Sequence, residues 1–170
     1  MSMSNASIPV FEIGLNVLVA LLDKAEAFAE AKRIDPTALL GVSLFPGMLT
    51  FTGQIQRACD TAKNTGSRLA GIDPPIFEDS EKTIADLRAR IDKTVALLNT
   101  LDTTKIDKSA DREIVFPIGP KKGHMTGADY LNHFALPNFH FIVTTAYCIL
   151  RHCANPLCSS YTLLPVTLFV

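Results

Sequence analysis

Histidine is the residue type in this 170-residue sequence with the most evident chemical use, because imidazole binds divalent metal ions and exchanges protons near neutral pH. All four histidines, His124, His133, His140 and His152, lie in the last third of the chain. In an unbroken helix His133 and His140 would point the same way, about 10 Å apart along the axis. The pair predicts either a metal or proton-handling site, with His124 as a third member, or histidines that each bond locally. Two histidines form a poor zinc site, so we predict local bonding and no cofactor, with a divalent zinc or nickel ion as the alternative.

A second set of polar residues is shared between two predicted helices. Gln56 and Asp60 are four residues apart and therefore lie on one helix face. Buried polar groups need partners, and bundles often bind ligands between helices. The set therefore either binds a small polar ligand or satisfies itself and fixes the packing of the helices, and we favour the second interpretation. Its members are Gln54, Gln56 and Asp60 on the earlier helix, and Asn138, His140, Thr144 and Tyr147 on the later one.

The sequence lacks the common motifs for nucleophilic catalysis and for phosphate binding. There is no Gly-x-Ser-x-Gly segment and no local signature of a cysteine–histidine nucleophile. The glycine-containing segment 119–123 lacks the Gly-Lys-Ser/Thr ending of a phosphate-binding loop. The 16 basic and 17 acidic side chains give a net charge of -1, without a basic patch. The composition therefore disfavours nucleic acid as a partner, including a helix-turn-helix DNA-binding function.

The sequence predicts a cytoplasmic protein without a membrane span. Residues 1–6 lack the basic region that precedes the apolar core of a signal peptide. The apolar stretch 13–22 is shorter than the roughly 20 residues that cross a bilayer. The cysteines contain no Cys-x-x-Cys pair, which is typical of reduced thiols rather than of a secreted disulfide framework. They are Cys59, Cys148, Cys153 and Cys158.

Four stretches carry apolar residues at alternating spacings of three and four, the pattern of amphipathic helices. The predicted helices cover residues 9–32, 46–71, 79 or 80 to about 101, and 126–152. Asp35 is predicted to cap a short helical turn, Gly71 to end the second helix, and residues 72–76 to form a crossing loop. Arg88 and Arg90 are assigned to the exposed face of the third helix. The predicted fold is all-α, an antiparallel four-helix bundle.

A β-hairpin is predicted before the fourth helix. Ile114, Phe116 and Ile118 alternate with other residues, and a period of two indicates a strand. Segment 119–123 has the composition of a turn, and residues 124–126 form the returning strand. Pro117 has no backbone N–H, so the hairpin lies at an edge. Pro137 is predicted to kink or split the fourth helix.

The domain is predicted to span residues 1–153, followed by a divergent apolar C-terminal tail at 154–170. From His152 onward the sequence has no acidic residue, lysine or arginine, and segment 162–170 is almost wholly apolar. The tail either packs on the bundle or on a partner, or reflects a gene-model or splice difference. An exposed apolar end is an aggregation hazard, and we favour the interpretation that the tail reflects a gene-model or splice difference.

A family resemblance is carried by segments 129–152, 54–63, 68–72 and 77–79. The first includes the runs Phe-Ala-Leu-Pro-Asn-Phe and Thr-Thr-Ala-Tyr. Over residues 3–153 the chain resembles the DUF1993 family, which is similar to the DinB/YfiT-like four-helix superfamily of metalloenzymes. That resemblance implies three histidine ligands, one on the second helix and an His-x-x-x-His pair on the fourth. This chain departs from it, with no histidine in 46–71, Ile142 where the family often has histidine, and His140 where it has an aromatic residue.

These observations predict a non-catalytic module that binds a small ligand or a protein, with a homodimer as the expected assembly. The homodimer follows from the resemblance and from the aromatic and aliphatic content of the fourth helix. The alternative is a divalent-metal-dependent transferase or hydrolase that uses His133 and His140. Whether the protein is an enzyme is left open by the sequence.

Overall fold

Four long helices form a bundle with a small β-hairpin beside it in this structure, a computed structural model that describes residues 2–153. The predicted fold class is confirmed, and the predicted tail at 154–170 lies outside the described residues. The elements are α1 (Met3–Lys32), α2 (Thr37–Leu40), α3 (Phe51–Ala70), α4 (Ile84–Asn99), α5 (Thr103–Asp107), β1 (Glu113–Ile118), β2 (Lys121–Thr126), α6 (Gly127–Asp129), a π-helical segment (Tyr130–Ala135) and α7 (Leu136–Cys153).

The helices α1 and α3 each pack against both α4 and α7. Arg88 near the start of α4 forms an ion pair with Asp23 in the second half of α1, so these two helices are antiparallel. The Phe139 ring at the start of α7 packs edge-on against Phe11 near the start of α1, with centroids 5.0 Å apart. The helices α1 and α7 therefore run in the same direction.

The helices α3 and α4 also run in the same direction. Asp60 in α3 pairs with Arg90 in α4, and one turn or two further along both helices Gly66 lies against Leu98. Two parallel neighbours need a connection that returns along the bundle, and residues 72–83 provide it, as the predicted crossing loop. The antiparallel pairs in contact are thus α1 with α4, α1 with α3, and α3 with α7.

Tyr130 joins the start of the last helix to the end of α3. Its hydroxyl accepts a hydrogen bond from Arg68 Nη1 at 3.0 Å. The Phe116 ring of the hairpin packs on the Tyr130 ring, with centroids 4.7 Å apart. The start of this last helix therefore lies beside the C-terminus of α3. The C-terminus of α7 accordingly lies at the opposite end of the bundle, where α3 begins.

The apolar stripes predicted for the four helices supply the core, with two exceptions. Met48 falls within the range 46–71 predicted for the second helix, but it precedes α3 and is exposed. Phe141 on α7 is 64% exposed. The buried stripe residues include Phe11, Leu15, Leu18 and Leu22 of α1, Phe51, Ile55, Ala58 and Ala62 of α3, Leu87, Ile91 and Leu98 of α4, and Ala146, Ile149 and Leu150 of α7.

Three predicted helix starts were wrong, because a capping side chain sets each start. The hydroxyls of Ser2, Thr50 and Thr83 each accept a hydrogen bond from a backbone N–H in the first turn. Thr83 and Asp86 form a reciprocal capping box. The observed starts, with the predicted ones in parentheses, are Met3 (Pro9), Phe51 (Pro46) and Ile84 (Asp79 or Ser80).

Other predicted boundaries are confirmed or extended. Asp35 Oδ1 accepts from the Thr37 N–H at 2.8 Å, and Gly71 ends α3 with a left-handed φ of 75°. The second strand begins at Lys121 rather than at residue 124, so Gly119 and Pro120 alone form the turn. Helix α5 was not predicted; its first turn is capped by the Asp102 side chain.

The last helix passes Pro137 without a break. It begins after Thr126, as predicted, and its distortion is the π-helical segment that immediately precedes Pro137. There the Leu136 N–H donates to the carbonyl of Leu131, five residues back. A π turn is wider than an α turn, so it moves the preceding carbonyls relative to the proline ring and accommodates a residue that would otherwise break the helix.

One helix within residues 2–153, α1, is long and apolar enough to cross a membrane by length and composition. Its most apolar 18-residue window has a mean hydropathy of 1.7, and 39% of that window is buried. In this structure α1 is a core helix, and its apolar stripe packs against α4 and α7.

Candidate functional site

The structure places the predicted histidines near the surface, each of His124 and His133 beside an acidic side chain. His133 is 73% exposed, and its Nε2 lies 3.8 Å from Asp129 Oδ1. His124 Nδ1 lies 3.0 Å from Glu113 Oε1 on the opposite strand, and His140 is exposed on α7. Across residues 2–153, no three histidine, cysteine or acidic side chains are arranged to hold a metal ion.

The ligands that the superfamily resemblance implies do not fit this chain. Helix α3 has no histidine, and Ile142, at the position where the family often has one, is a buried core residue of α7. An aliphatic side chain offers no lone pair to a metal. The arrangement therefore lacks the donor set of the superfamily centre.

A shallow pocket of about 280 Å³ lies at the base of the hairpin. It is lined by Asp111, Glu113, His124, Met125 and Thr126. The imidazole of His124 and the carboxylate of Glu113 are already paired with each other across the strands, so the pocket presents few free polar groups to a ligand.

The predicted polar set is divided between two surfaces. On α3, Gln54 donates to the Leu49 carbonyl at 3.3 Å, and Gln56 donates to Glu81 Oε2 at 2.8 Å. Asp60 faces α4 and pairs with Arg90. These three polar residues of α3 are thus bonded to neighbouring backbone or side chains.

The half of the set on α7 does not meet the half on α3. Asn138 donates to the Phe134 carbonyl of its own helix at 2.6 Å. His140 and Thr144 are exposed, and Tyr147 is half-buried. The structure therefore brings Gln56 and Asp60 into one polar cluster, without the residues of α7.

That cluster centres on Arg90, whose side chain is only 2% exposed. Its Nη2 lies 3.1 Å from Asp60 Oδ1 and 2.9 Å from Asp79 Oδ1. Its Nη1 lies 2.8 Å from Glu81 Oε1 and donates to the Glu78 carbonyl at 2.9 Å. The Arg90 Nε is buried and makes no hydrogen bond in the structure. A planar guanidinium with several fixed donors suits three carboxylates and a carbonyl on different segments.

Sequence reasoning wrongly placed Arg90 on the exposed face of its helix. Arg90 lies three residues after Leu87 and immediately before Ile91, both buried, so it borders the apolar stripe of α4. The available signal was that border position together with the acidic run at 78–81, which supplies the counter-charges. A helical charge at the edge of a stripe is usually solvated, so periodicity alone assigns it to water.

The residues that connect α3 to α4, 72–83, are hereafter called the strap. Lys63 on α3 holds its middle: Nζ donates to the Pro75 carbonyl at 2.6 Å and lies 4.6 Å from the Phe77 ring centroid. Lys93 on α4 lies over the same ring at 4.1 Å. Cations over an aromatic face are attracted by its quadrupole. The strap is therefore fixed by Lys63 and Lys93 in its middle and by Arg90 further along.

One strap side chain points away from all of these anchors. Ile76 is 90% exposed, although its neighbours Pro75 and Phe77 are both held to the bundle. Asp73 and Glu78 on either side are also exposed. The strap is thus a fixed segment that exposes the apolar side chain of Ile76 between two exposed acidic residues, Asp73 and Glu78.

Two ionisable groups near Arg90, Glu81 on the strap and Cys59 on α3, have pKa values that suit a structural role rather than a reactive one. Burial opposes the ionisation of Glu81, but hydrogen bonds from Arg90 and Gln56 outweigh it and hold the Glu81 pKa below its ordinary value. Burial raises the pKa of the Cys59 thiol to about 11. Cys59 is therefore a neutral thiol near pH 7, and thiolate is the nucleophilic form.

The lowered pKa of Glu81 predicts how the stability of the fold changes at acid pH. Its carboxylate stabilises the fold above the ordinary glutamate pKa, and that contribution is lost as pH falls through the folded-state value. Glu81→Gln should reduce the free energy of unfolding by about 1–3 kcal/mol at pH 7. The difference from the natural chain should narrow below about pH 4.5. Urea denaturation followed by circular dichroism at a series of pH values measures this.

The matched control is Glu30→Gln, an exposed glutamate at the end of α1. Its stability difference from the natural chain should be small at every pH. A Glu81→Gln curve parallel to that of the natural chain from pH 7 to pH 3 would contradict the assigned role of the carboxylate.

Comparisons with known proteins place this architecture among described families. A solved structure of a DinB family member protein from Shewanella denitrificans resembles it with a TM-score of 0.84 and 35% sequence identity, over 92% of this chain and 88% of that chain. No curated protein matches the chain. The family model of DUF1993, a domain of unknown function, matches residues 3–159. The chain therefore belongs to the DUF1993 family and has the fold of a DinB family member.

Proposed function

We propose that this chain is a non-catalytic interaction module of the cytoplasm whose strap binds a protein partner. The observation that supports this is the exposure of Ile76 between two anchored neighbours. A small polar ligand is the less supported alternative, because Gln54, Gln56 and Asp60 are bonded within the bundle.

A fixed strap binds at a lower entropic cost than a free one. The prolines at 74 and 75 restrict the backbone, and Lys63 and Arg90 hold the residues that follow. Ordering a free segment costs about 1–2 kcal/mol per residue, and a segment that is ordered before binding avoids that cost. Burying an isoleucine side chain contributes about 1.5–3 kcal/mol.

The charges around Ile76 indicate the kind of partner. Asp73 and Glu78 are exposed on the strap and Asp79 is largely exposed. Electrostatic complementarity favours a partner with an apolar groove bordered by basic residues. Such a contact should weaken as salt concentration rises, because exposed charges are screened.

The experiment places a photo-crosslinking amino acid at position 76 and, as a matched control, at position 16, an exposed residue of α1. We expect a discrete crosslinked product at position 76 in lysate of the source cells, and none at position 16. An excess of unlabelled natural chain should displace it, whereas an excess of the Ile76→Ser chain should not. Equal displacement by both chains would show that Ile76 does not carry the contact.

The rival function is a divalent-metal-dependent transferase or hydrolase that uses His133 and His140. It is separated from our proposal by equilibrating the chain with zinc or nickel and measuring the bound metal by mass spectrometry. Stoichiometric metal that disappears in both His133→Ala and His140→Ala would favour the rival. Our proposal expects no such loss.

The predicted homodimer stays a prediction. Phe141, 64% exposed on α7, is the aromatic side chain of that helix that offers most surface to a second copy. The contact would lie on α7, away from the strap, so dimerisation and strap binding are compatible.

A further inference from the structure

A second apolar surface lies at one end of the bundle, in the connection between α1 and α3. Its five large apolar side chains are each at least 37% exposed, with Phe45 the most exposed at 68%. Together they are called the end surface and are Ile34, Leu44, Phe45, Met48 and Leu49. Exposed apolar residues that cluster in this way mark a contact, whereas scattered ones do not.

The segment that carries the end surface is held in place. The Phe51 N–H donates to the Val42 carbonyl at 2.8 Å and closes the loop between them. Inside it, Met48 N–H donates to the Phe45 carbonyl at 3.0 Å, and Gln54 donates to the Leu49 carbonyl. The apolar side chains therefore face outward from an ordered loop.

The last described helix ends at the same end of the bundle. Helix α7 is antiparallel to α3, so Cys153 lies towards the start of α3, where the end surface is located. Cys153 itself packs against the core. Cys153, to which residues 154–170 are joined, therefore lies at the end of the bundle that carries the end surface.

Those residues have the composition and the length to reach it. Segment 154–170 has no charged side chain, and segment 162–170 reads Thr-Leu-Leu-Pro-Val-Thr-Leu-Phe-Val. The eight residues 154–161 span up to about 28 Å when extended, which exceeds the roughly 20 Å across two packed helices. The apolar segment can therefore reach any part of that end.

We propose that residues 162–170 dock on the end surface of the same chain, so that the tail packs on the bundle, the interpretation that the sequence alone made the less favoured one. Docking removes two apolar surfaces from water at once, at about 25 cal/mol per Å² of apolar area. A tethered segment also competes at an effective concentration in the millimolar range. If the end surface bound the end surface of a second chain instead, the contact would lack the effective concentration that the tether provides. It would also leave the apolar segment 162–170 without a surface to cover it.

The test is limited proteolysis of the full chain with chymotrypsin, which cleaves after exposed Phe and Leu. We expect slow cleavage after Leu44 and Leu49, because Pro46 blocks cleavage after Phe45 itself. Cleavage should be at least tenfold faster in Leu168→Asp, because a charge in the docked segment is costly to bury. The control Ser159→Asp adds the same charge outside the apolar run and should leave the rate unchanged. In the reverse direction, Phe45→Ser should expose Leu163 and Leu168 to the protease.

Each other outcome overturns the proposal. Protection of Leu44 and Leu49 that grows with protein concentration would assign the end surface to a second copy. Cleavage after Leu44 and Leu49 that is equally fast in the natural chain and in Leu168→Asp would show that segment 162–170 does not cover the end surface. Circular dichroism of both variants verifies that the bundle itself is intact.

Discussion

Replacing Arg90 with methionine is expected to lower the free energy of unfolding by roughly 3–5 kcal/mol. The change places a buried apolar side chain next to the carboxylates of Asp60 and Glu81 and removes the counter-charge of Glu81. Asp60 keeps only its ion pair with Lys63, at 3.2 Å. It also frees the Glu78 carbonyl. Methionine keeps most of the side-chain volume, so the loss reports the charge and its hydrogen bonds rather than a cavity. Urea denaturation at pH 7 measures it.

The matched control is Arg88→Met on the same helix. Arg88 pairs with Asp23 and Glu26, but both of those side chains are about 60% exposed. Exposed ion pairs contribute about 0–1 kcal/mol, so this variant should stay close to the natural stability. Similar losses for Arg88→Met and Arg90→Met would contradict the assignment of Arg90 as the buried centre of the network.

The Arg90 variant also links stability to the proposed contact. If Arg90 and Lys63 fix the strap, Arg90→Met should weaken partner binding even where the bundle remains folded, because the strap must then be ordered on binding. Ile76→Ser should weaken the same binding with little effect on stability, since Ile76 is almost fully exposed. The two variants therefore separate the anchor from the contact residue.

The helices and the hairpin were predictable because their signals are local. A stripe such as Phe11, Leu15, Leu18 repeats within one segment, and the alternation of Ile114 and Phe116 is visible over a few residues. The helix starts were less accurate, because several residues near each start are able to cap and only the final geometry selects one. The caps are Ser2 and Thr83, so the helices begin at Met3 and Ile84 rather than at Pro9 and Asp79.

The sequence predicted only some members of the polar cluster centred on Arg90. Gln56 and Asp60 were found because they are polar residues at a shared helix face. Arg90 was missed because its partners lie on segments 9 to 30 residues away in sequence. Nothing in a periodic pattern reports a contact between two helices and the loop that connects them, so a buried arginine resembles an exposed one until the fold is known.

Gly127 is needed for the packing of the last helix against segment 109–112, which its position in the sequence does not reveal. As the first residue of α6 it is a weak helix former, and a sequence argument would replace it with alanine. In the structure a methyl group at this position would overlap the backbone carbonyl oxygen of Ser109. The Gly127 N–H also donates to the Arg112 carbonyl at 2.8 Å, and Ala128 N–H donates to the Ala110 carbonyl at 2.9 Å. The backbone at 109–112 is thus pressed against the start of the last helix.

Gly127→Ala is therefore expected to cost about 3 kcal/mol of folding free energy, because a backbone oxygen cannot rotate aside as a side chain can. Gly41→Ala is the matched control, since a methyl there meets no atom within 4 Å and its φ of -84° suits any residue. It should change stability by no more than about 0.5 kcal/mol. Urea denaturation of both variants tests the contact. A Gly127→Ala chain as stable as Gly41→Ala would mean that segment 109–112 yields easily, and that the hairpin is only loosely attached to the bundle.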